Sequence, residues 1–200
     1  MINPLVNRMD IPNVVLVGGT GSGKSSVGRV LASLLGFGVI DLDAMLEKKQ
    51  GREIAAIFAE EGEHRFRELE TELIESLSGI RNHVIITGAG AVEKERNWEN
   101  LGRLGRIVWM ATPIGEVVNR FLMRPGELEK RPLLAKAVEI EDKEERYRFI
   151  QDRLQELQDR RQERYSQASC TLVNSFSTPE AAALMIKNML ESGEKQPWTN

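Results

Sequence analysis

The chain has 200 residues, 41% of them hydrophobic, and a formal charge of −3. That length suits one domain with a core that needs no staples. The charge balance, without a face-long basic run, argues against a nucleic-acid partner. No apolar stretch reaches a membrane span, and a single cysteine, Cys170, excludes an internal disulfide and suits a reducing cytoplasm.

Residues 1–10 lack the charged and apolar regions of a secretory signal. The apolar run Val14-Val15-Leu16-Val17 then predicts a first strand over 14–18. A helix follows over 24–35, with Val27, Val30, Leu31 and Leu34 on one face and Gly36 and Gly38 to stop it. A short second strand is expected over 39–43. Helices are expected over 53–59 and 65–77, broken near Gly62, with Phe66, Leu69, Leu73 and Leu77 as the buried stripe. Third and fourth strands are read over 84–87 and 106–111, and Pro113 opens the helix after the latter. The pattern dissolves between Met123 and Asp142 into a charged, proline-bearing stretch typical of a lid. A long helix over about 143–167, a fifth strand over 170–174 and a last helix from Pro179 complete the chain. Cys170 opens an apolar run and reads as a buried structural thiol. Apolar strands alternating with helices imply an α/β fold: a parallel five-stranded sheet between two helical layers. The expected organisation is one domain over 1–200, with a lid at about 123–142 and a loosely ordered polar tail at about 192–200.

Ligands in such sheets bind at the carboxyl ends of the strands. The first strand runs into Gly18-Gly19-Thr20-Gly21-Ser22-Gly23-Lys24-Ser25, a G-x-x-x-x-G-K-S loop opening a helix. Its backbone N–H groups can turn around a phosphate chain while the helix N-terminus adds positive potential. Lys24 supplies a mobile charge for the outer phosphates and Ser25 a hydroxyl for Mg²⁺. The second strand ends Asp41-Leu42-Asp43, which on a strand places both carboxylates on one face. One can help hold a hydrated metal and the other accept a hydroxyl proton, or one simply caps the next helix. Thr87-Gly88-Ala89-Gly90 allows close approach of backbone N–H groups to a ligand, or is an ordinary turn. A lid arginine such as Arg131 would stabilise charge on a transferring phosphoryl group. In the long helix, Tyr147, Ile150, Leu154 and Leu157 make an apolar stripe that Arg161 and Tyr165 continue. An arginine there must find an anion or snorkel out. Arg67, taken alone, is a surface arginine, and His64 and His83 carry no metal or triad spacing.

In order, these segments resemble the shikimate kinase family from about Val14 to Ile186. The matching pieces are the phosphate loop with Val27-Gly28-Arg29, Asp41-Leu42-Asp43, Gly62-Glu63, Phe66-Arg67 with Glu70, Thr87 to Val92, Arg131-Pro132-Leu133-Leu134, and Arg161 ahead of Tyr165. The resemblance implies a P-loop fold of the nucleoside-monophosphate-kinase type. It also implies transfer of the ATP γ-phosphate to the 3-hydroxyl of shikimate, a step towards chorismate and aromatic amino acids. By that analogy Gly19, Gly21, Ser22, Gly23, Lys24, Ser25 and Ser26 hold ATP, and Arg120 and Pro179 flank adenine. Ser25 and Asp41 attend Mg²⁺, Asp43 is the base, and Lys24 and Arg131 face the transferring group. Arg67, Arg161 and the segment Gly88, Ala89, Gly90 take shikimate. A monomer in the cytoplasm is expected, acting on small molecules with no nucleic acid or membrane.

Three departures from the family pattern stand out. Ala89 replaces the usual middle glycine, at about 1 kcal/mol or more if that position needs positive φ. The stretch between Arg131 and Arg161 carries an insert. Ser177-Thr178 stands where an arginine often precedes the adenine-side proline. Gluconate kinases are disfavoured, because the chain reads Asp-Leu-Asp-Ala-Met rather than their Asp-Gly-Asp with a His-Pro signature. Nucleotide kinases lack an identifiable base-reading segment here, and a non-catalytic nucleotide-binding module is the remaining alternative.

Overall fold

The computed structural model describes residues 12–124, 126–129, 131–173 and 178–192. The elements are β1 (Asn13–Val17), α1 (Lys24–Leu35), β2 (Gly38–Asp41), α2 (Leu42–Gln50), α3 (Ile54–Ser76), β3 (His83–Ile86), α4 (Glu95–Leu104), β4 (Arg106–Ala111), α5 (Ile114–Leu122), α6 (Lys143–Ser166), β5 (Cys170–Val173) and α7 (Pro179–Ser192). Short 3₁₀ helices occupy Ala91–Glu93 and Pro132–Glu139. The five strands form one sheet in the order β2-β3-β1-β4-β5, and every pairing is parallel.

Strand alternation divides the core between two faces. Val15, Val17, Ile85, Ile107 and Trp109 face α3 and α4, while Val14, Leu16, Val84, Ile86, Val108 and Met110 face α1 and α7. Every residue of β1 is buried, as expected of a central strand covered on both sides. Its polar first residue, Asn13, is satisfied: the amide donates to the carbonyls of Ile80 and Leu104 at 2.7 Å, and its oxygen accepts from the His83 N–H. Cys170 is buried in the second of these clusters.

One expectation changes. The second strand stops at Asp41 rather than running to residue 43. The Asp41 side chain accepts from the Ala44 N–H and caps α2, so Leu42 and Asp43 already lie in a helical turn. Asp41 and Asp43 therefore do not share a strand face. The break expected near Gly62 is present: α3 leaves helical geometry at Gly62 (φ 80°, ψ 170°), and two helical segments meet at a kink there. Within 123–142, residues Pro132–Glu139 form a 3₁₀ helix, and Leu128, Leu134 and Ala137 pack with Val117, Phe121, Ile150 and Leu154. Leu128, Leu134 and Ala137 thus anchor this stretch on α5 and α6. The expected polar tail beyond Ser192 and the Ser177 position lie outside the described residues.

Candidate active site

Two cavities open at the carboxyl edge of the sheet. One, of about 260 Å³, is lined by the loop Gly21–Ser26 together with Asp41, Arg120 and Arg131. The other, of about 450 Å³, is lined by Arg67, Gly88, Gly90 and Arg161, with an apolar side that includes Phe58 and Leu134. Thr20, Asp43, Ala89 and Arg131 line both, so the cavities meet at those four residues.

The phosphate side is built by the loop between β1 and α1. Gly23 stands at the N-cap of α1 in the left-handed region (φ 92°), a conformation open to glycine at little cost. Lys24 is 8% exposed and folds back along the loop. Its Nζ donates to the carbonyls of Gly18 and Gly19 at 2.8 and 2.9 Å and to Ser22 Oγ at 3.4 Å. Burial pulls the Lys24 ammonium down to about 8, against the opposing charge of Asp43. Ser25 Oγ donates to Asp41 Oδ2 at 3.1 Å. This pair of hard oxygen donors suits Mg²⁺, which is commonly held by one or two carboxylates plus substrate phosphates. Arg120 donates to the Gly21 carbonyl at 3.3 Å and pairs with Glu116. Pro179 opens α7 and is not among the residues lining either cavity.

Arg131 reaches in from the N-terminal end of the 3₁₀ helix Pro132–Glu139. Its Nη1 donates to Thr20 Oγ1 at 2.6 Å, Nη2 pairs with Glu127 at 3.4 Å, and its guanidinium lies 5.1 Å from the Phe121 ring centre. Thr20 reads in sequence only as a spacer of the loop. Its contact with Arg131 spans 111 residues, which no local pattern records.

Asp43, in the first turn of α2, sits where the cavities join. Burial pushes its carboxyl above the usual range, while Lys24 pulls the other way. Arg67, from α3, reaches the second cavity over the Phe66 ring at 5.0 Å. It is 12% exposed, and it pairs with Glu70 at 3.0 Å and Glu63 at 3.1 Å. Glu70 is buried and desolvated, which raises its carboxyl to about 7 despite Arg67. Its Oε1 has no hydrogen-bond partner among the described residues. Gly88 and Gly90 permit two close approaches. A side chain at Gly88 would lie 2.7 Å from Asp43 Oδ1 and 2.9 Å from Glu70 Oε1, and one at Gly90 would lie 2.2 Å from Arg67 Nη2. Ala89, by contrast, is not among the described residues with positive φ, so its methyl imposes no backbone strain.

Of the two outcomes open to it in sequence, Arg161 finds an anion rather than snorkelling out, and that anion is an internal carboxylate. Its side chain is 2% exposed, at the wall of the second cavity. The partner is Glu93 Oε1, which accepts from Nε at 2.7 Å and lies 2.6 Å from Nη2 in the same ion pair. Glu93 escapes sequence reasoning because no local signal marks it. The structure thus brings Asp43, Arg67, Arg161, Arg131 and the phosphate loop to one sheet edge, and adds Thr20, Glu93, Glu63 and Glu70 to their surroundings.

A loop that cradles phosphates, a lysine and an arginine aimed at it, and a carboxylate at the junction with a second cavity define a P-loop phosphotransferase. A family model described as Shikimate kinase matches residues 20–191. A shikimate kinase of Synechococcus elongatus is 33% identical over 189 residues, or 94% of this chain and 91% of its own. A solved shikimate kinase from Acinetobacter baumannii in complex with shikimate aligns at a TM-score of 0.80 and 32% identity, over 94% of this chain and 97% of that one. The shikimate kinase from Aquifex aeolicus aligns at 0.68 and 29% identity, over 90% and 96%. The chain belongs to the shikimate kinase family.

Proposed function

We propose that this kinase moves the γ-phosphoryl group of ATP to the 3-hydroxyl of shikimate, with the second cavity holding the acid and the phosphate loop holding the nucleotide. The observation that carries this reading is the junction: Thr20, Asp43, Ala89 and Arg131 line both cavities, so a nucleotide's terminal phosphate and a hydroxyl on the second ligand meet there. On the far wall, Arg67 and Arg161 supply two guanidinium groups to a carboxylate, and two fixed arginines orient a ring so that one hydroxyl faces the phosphate.

Asp43 takes the hydroxyl proton as the hydroxyl oxygen bonds to the γ-phosphorus and the bond to the ADP oxygen breaks. Lys24 releases its loop carbonyls and turns to the β- and γ-phosphate oxygens. Arg131 moves its charge from Thr20 to the transferring group, and the lid stretch keeps water out. Ser25 and Asp41 would hold Mg²⁺, which would supply neutralisation of phosphate charge. Gly19, Gly21, Ser22, Gly23 and Ser26 line the nucleotide's path, and Arg120 and Pro179 flank its base. Gly88, Ala89 and Gly90 bring backbone against the acid. The kinase works as a cytoplasmic monomer on small molecules, without nucleic acid or membrane. Its charge of −3 and its single, buried cysteine support that placement.

A coupled ADP-release assay offering shikimate, quinate and gluconate tests the reading. Turnover with shikimate and not with gluconate is expected. Turnover only with another polyol, or ATP binding with no turnover at all, would overturn it.

A further inference from the structure

The arginine pair at the second cavity is not a free cationic clamp, because both arginines already carry internal anions. Glu63 and Glu70 hold Arg67, and Glu93 holds Arg161. The Glu93 contact has a particular geometry. One carboxylate oxygen takes Nε and Nη2, the side-on edge of the guanidinium. A guanidinium has five N–H donors in a rigid plane, so fixing that edge fixes the direction of the other one, formed by Nη1 and the second Nη2 hydrogen. That end-on edge has the geometry to grip a planar anion with two parallel bonds.

The surroundings show what sets this direction. Glu93 closes the 3₁₀ helix that follows the Gly88–Gly90 segment. The next residue, Lys94, donates from Nζ to the carbonyl of Arg67 at 3.1 Å. Gly90, three residues before Glu93, packs against the Arg67 guanidinium. A single short segment therefore touches both arginines and sets the gap between them. Tyr165, one turn further along α6, stacks on Trp109 at 5.1 Å and its hydroxyl interacts with Arg161, a second contact from the same helix.

We propose that Glu93 is a positioning residue for acid recognition: by holding the side-on edge of Arg161 it turns the end-on edge into the cavity, where the substrate carboxylate is gripped. This rests on the reading that shikimate is the acceptor and that Arg161 meets its carboxylate. Glu93 touches no reacting atom. Its effect runs through Arg161 and is confined to ligands that carry the anion.

The test compares wild type with Glu93→Ala and Glu93→Gln, measuring kcat and the KM values for shikimate and ATP, and the inhibition constant of shikimate methyl ester. Loss of one directed charge-assisted contact raises the shikimate KM of Glu93→Ala about tenfold, and leaves the ATP KM within about twofold. Glu93→Gln keeps an acceptor oxygen and recovers part of the loss; being isosteric, it also carries the test if the alanine variant does not fold. The methyl ester lacks the anion, so it binds wild type and variants alike. A shikimate KM unchanged or lowered in both variants would overturn the proposal, and would show Glu93 to be a competitor or a bystander. Equal losses for shikimate and the ester would also overturn it, since the role would then be structural. Wild-type protein that binds ATP but turns over no shikimate would instead remove the functional reading beneath it.

Discussion

Gly90→Ala gives a narrow test of the substrate arginines. Gly90 has φ −94° and ψ −2°, which alanine adopts without strain, so the substitution acts through its methyl alone. That methyl would stand 2.2 Å from Arg67 Nη2, 2.5 Å from Cζ and 2.7 Å from Nη1. Carbon atoms in packed proteins meet other heavy atoms at about 3.5–4 Å, so the guanidinium must retreat by about an ångström or more. Retreat by that much disturbs its pairing with buried Glu70 at 3.0 Å and with Glu63 at 3.1 Å, and its place over the Phe66 ring. Losing the register of one charge-assisted contact costs about 1.5–3 kcal/mol, or roughly ten- to a hundredfold in shikimate kcat/KM. Neither Gly90 nor Arg67 lines the phosphate cavity, so the ATP KM is expected to stay put. Steady-state kinetics with each substrate varied in turn reads both effects. An unchanged shikimate KM in folded Gly90→Ala would show that Arg67 takes no part in gripping the acid. The neighbouring Gly88→Ala should behave differently, since its methyl meets Asp43 Oδ1 at 2.7 Å: it is expected to lower kcat more than it raises the shikimate KM.

Three further outcomes are expected. Asp43→Asn keeps ATP binding and loses about a hundredfold or more in kcat, as removal of a general base does; near-normal turnover would exclude Asp43 from that role. Because burial lowers Lys24 to about 8, the free enzyme loses the ammonium charge as pH rises through that value; kcat/KM for ATP should therefore fall above about pH 8, and a flat profile to pH 10 would contradict it. Ala89→Gly relieves no backbone strain and removes only a methyl at the cavity junction, so the shikimate KM should drop by no more than about threefold in a KM titration; a rise would mean the methyl packs usefully on the substrate.

What the sequence disclosed and what it withheld follow from the range of the interactions. The phosphate loop, the strands and the stripe on α6 are local patterns, and the periodicity of that stripe marks Arg161 as a charge that must find an anion or snorkel out, without deciding between the two. Asp41 and Asp43 were misplaced by two residues of strand. An extended reading of Asp-Leu-Asp fits as well as a capped helix until the side chain of Asp41 is seen to take the Ala44 N–H. Arg67 has nothing local to distinguish it from a solvated arginine; its place in the wall depends on Gly90, more than twenty residues on, leaving room for it. Glu93 and Thr20 were silent for the same reason. Each acquires meaning only from a partner brought across the fold, 68 residues away for Glu93 and 111 for Thr20.

A crystal structure with shikimate and ADP bound would test the central claim most directly. The expected result is the shikimate carboxylate between Arg67 and Arg161, its 3-hydroxyl within hydrogen-bond reach of Asp43, and the ADP β-phosphate in the loop Gly21–Ser26. Shikimate seated elsewhere, or with its carboxylate turned away from both arginines while ADP is bound as expected, would contradict it.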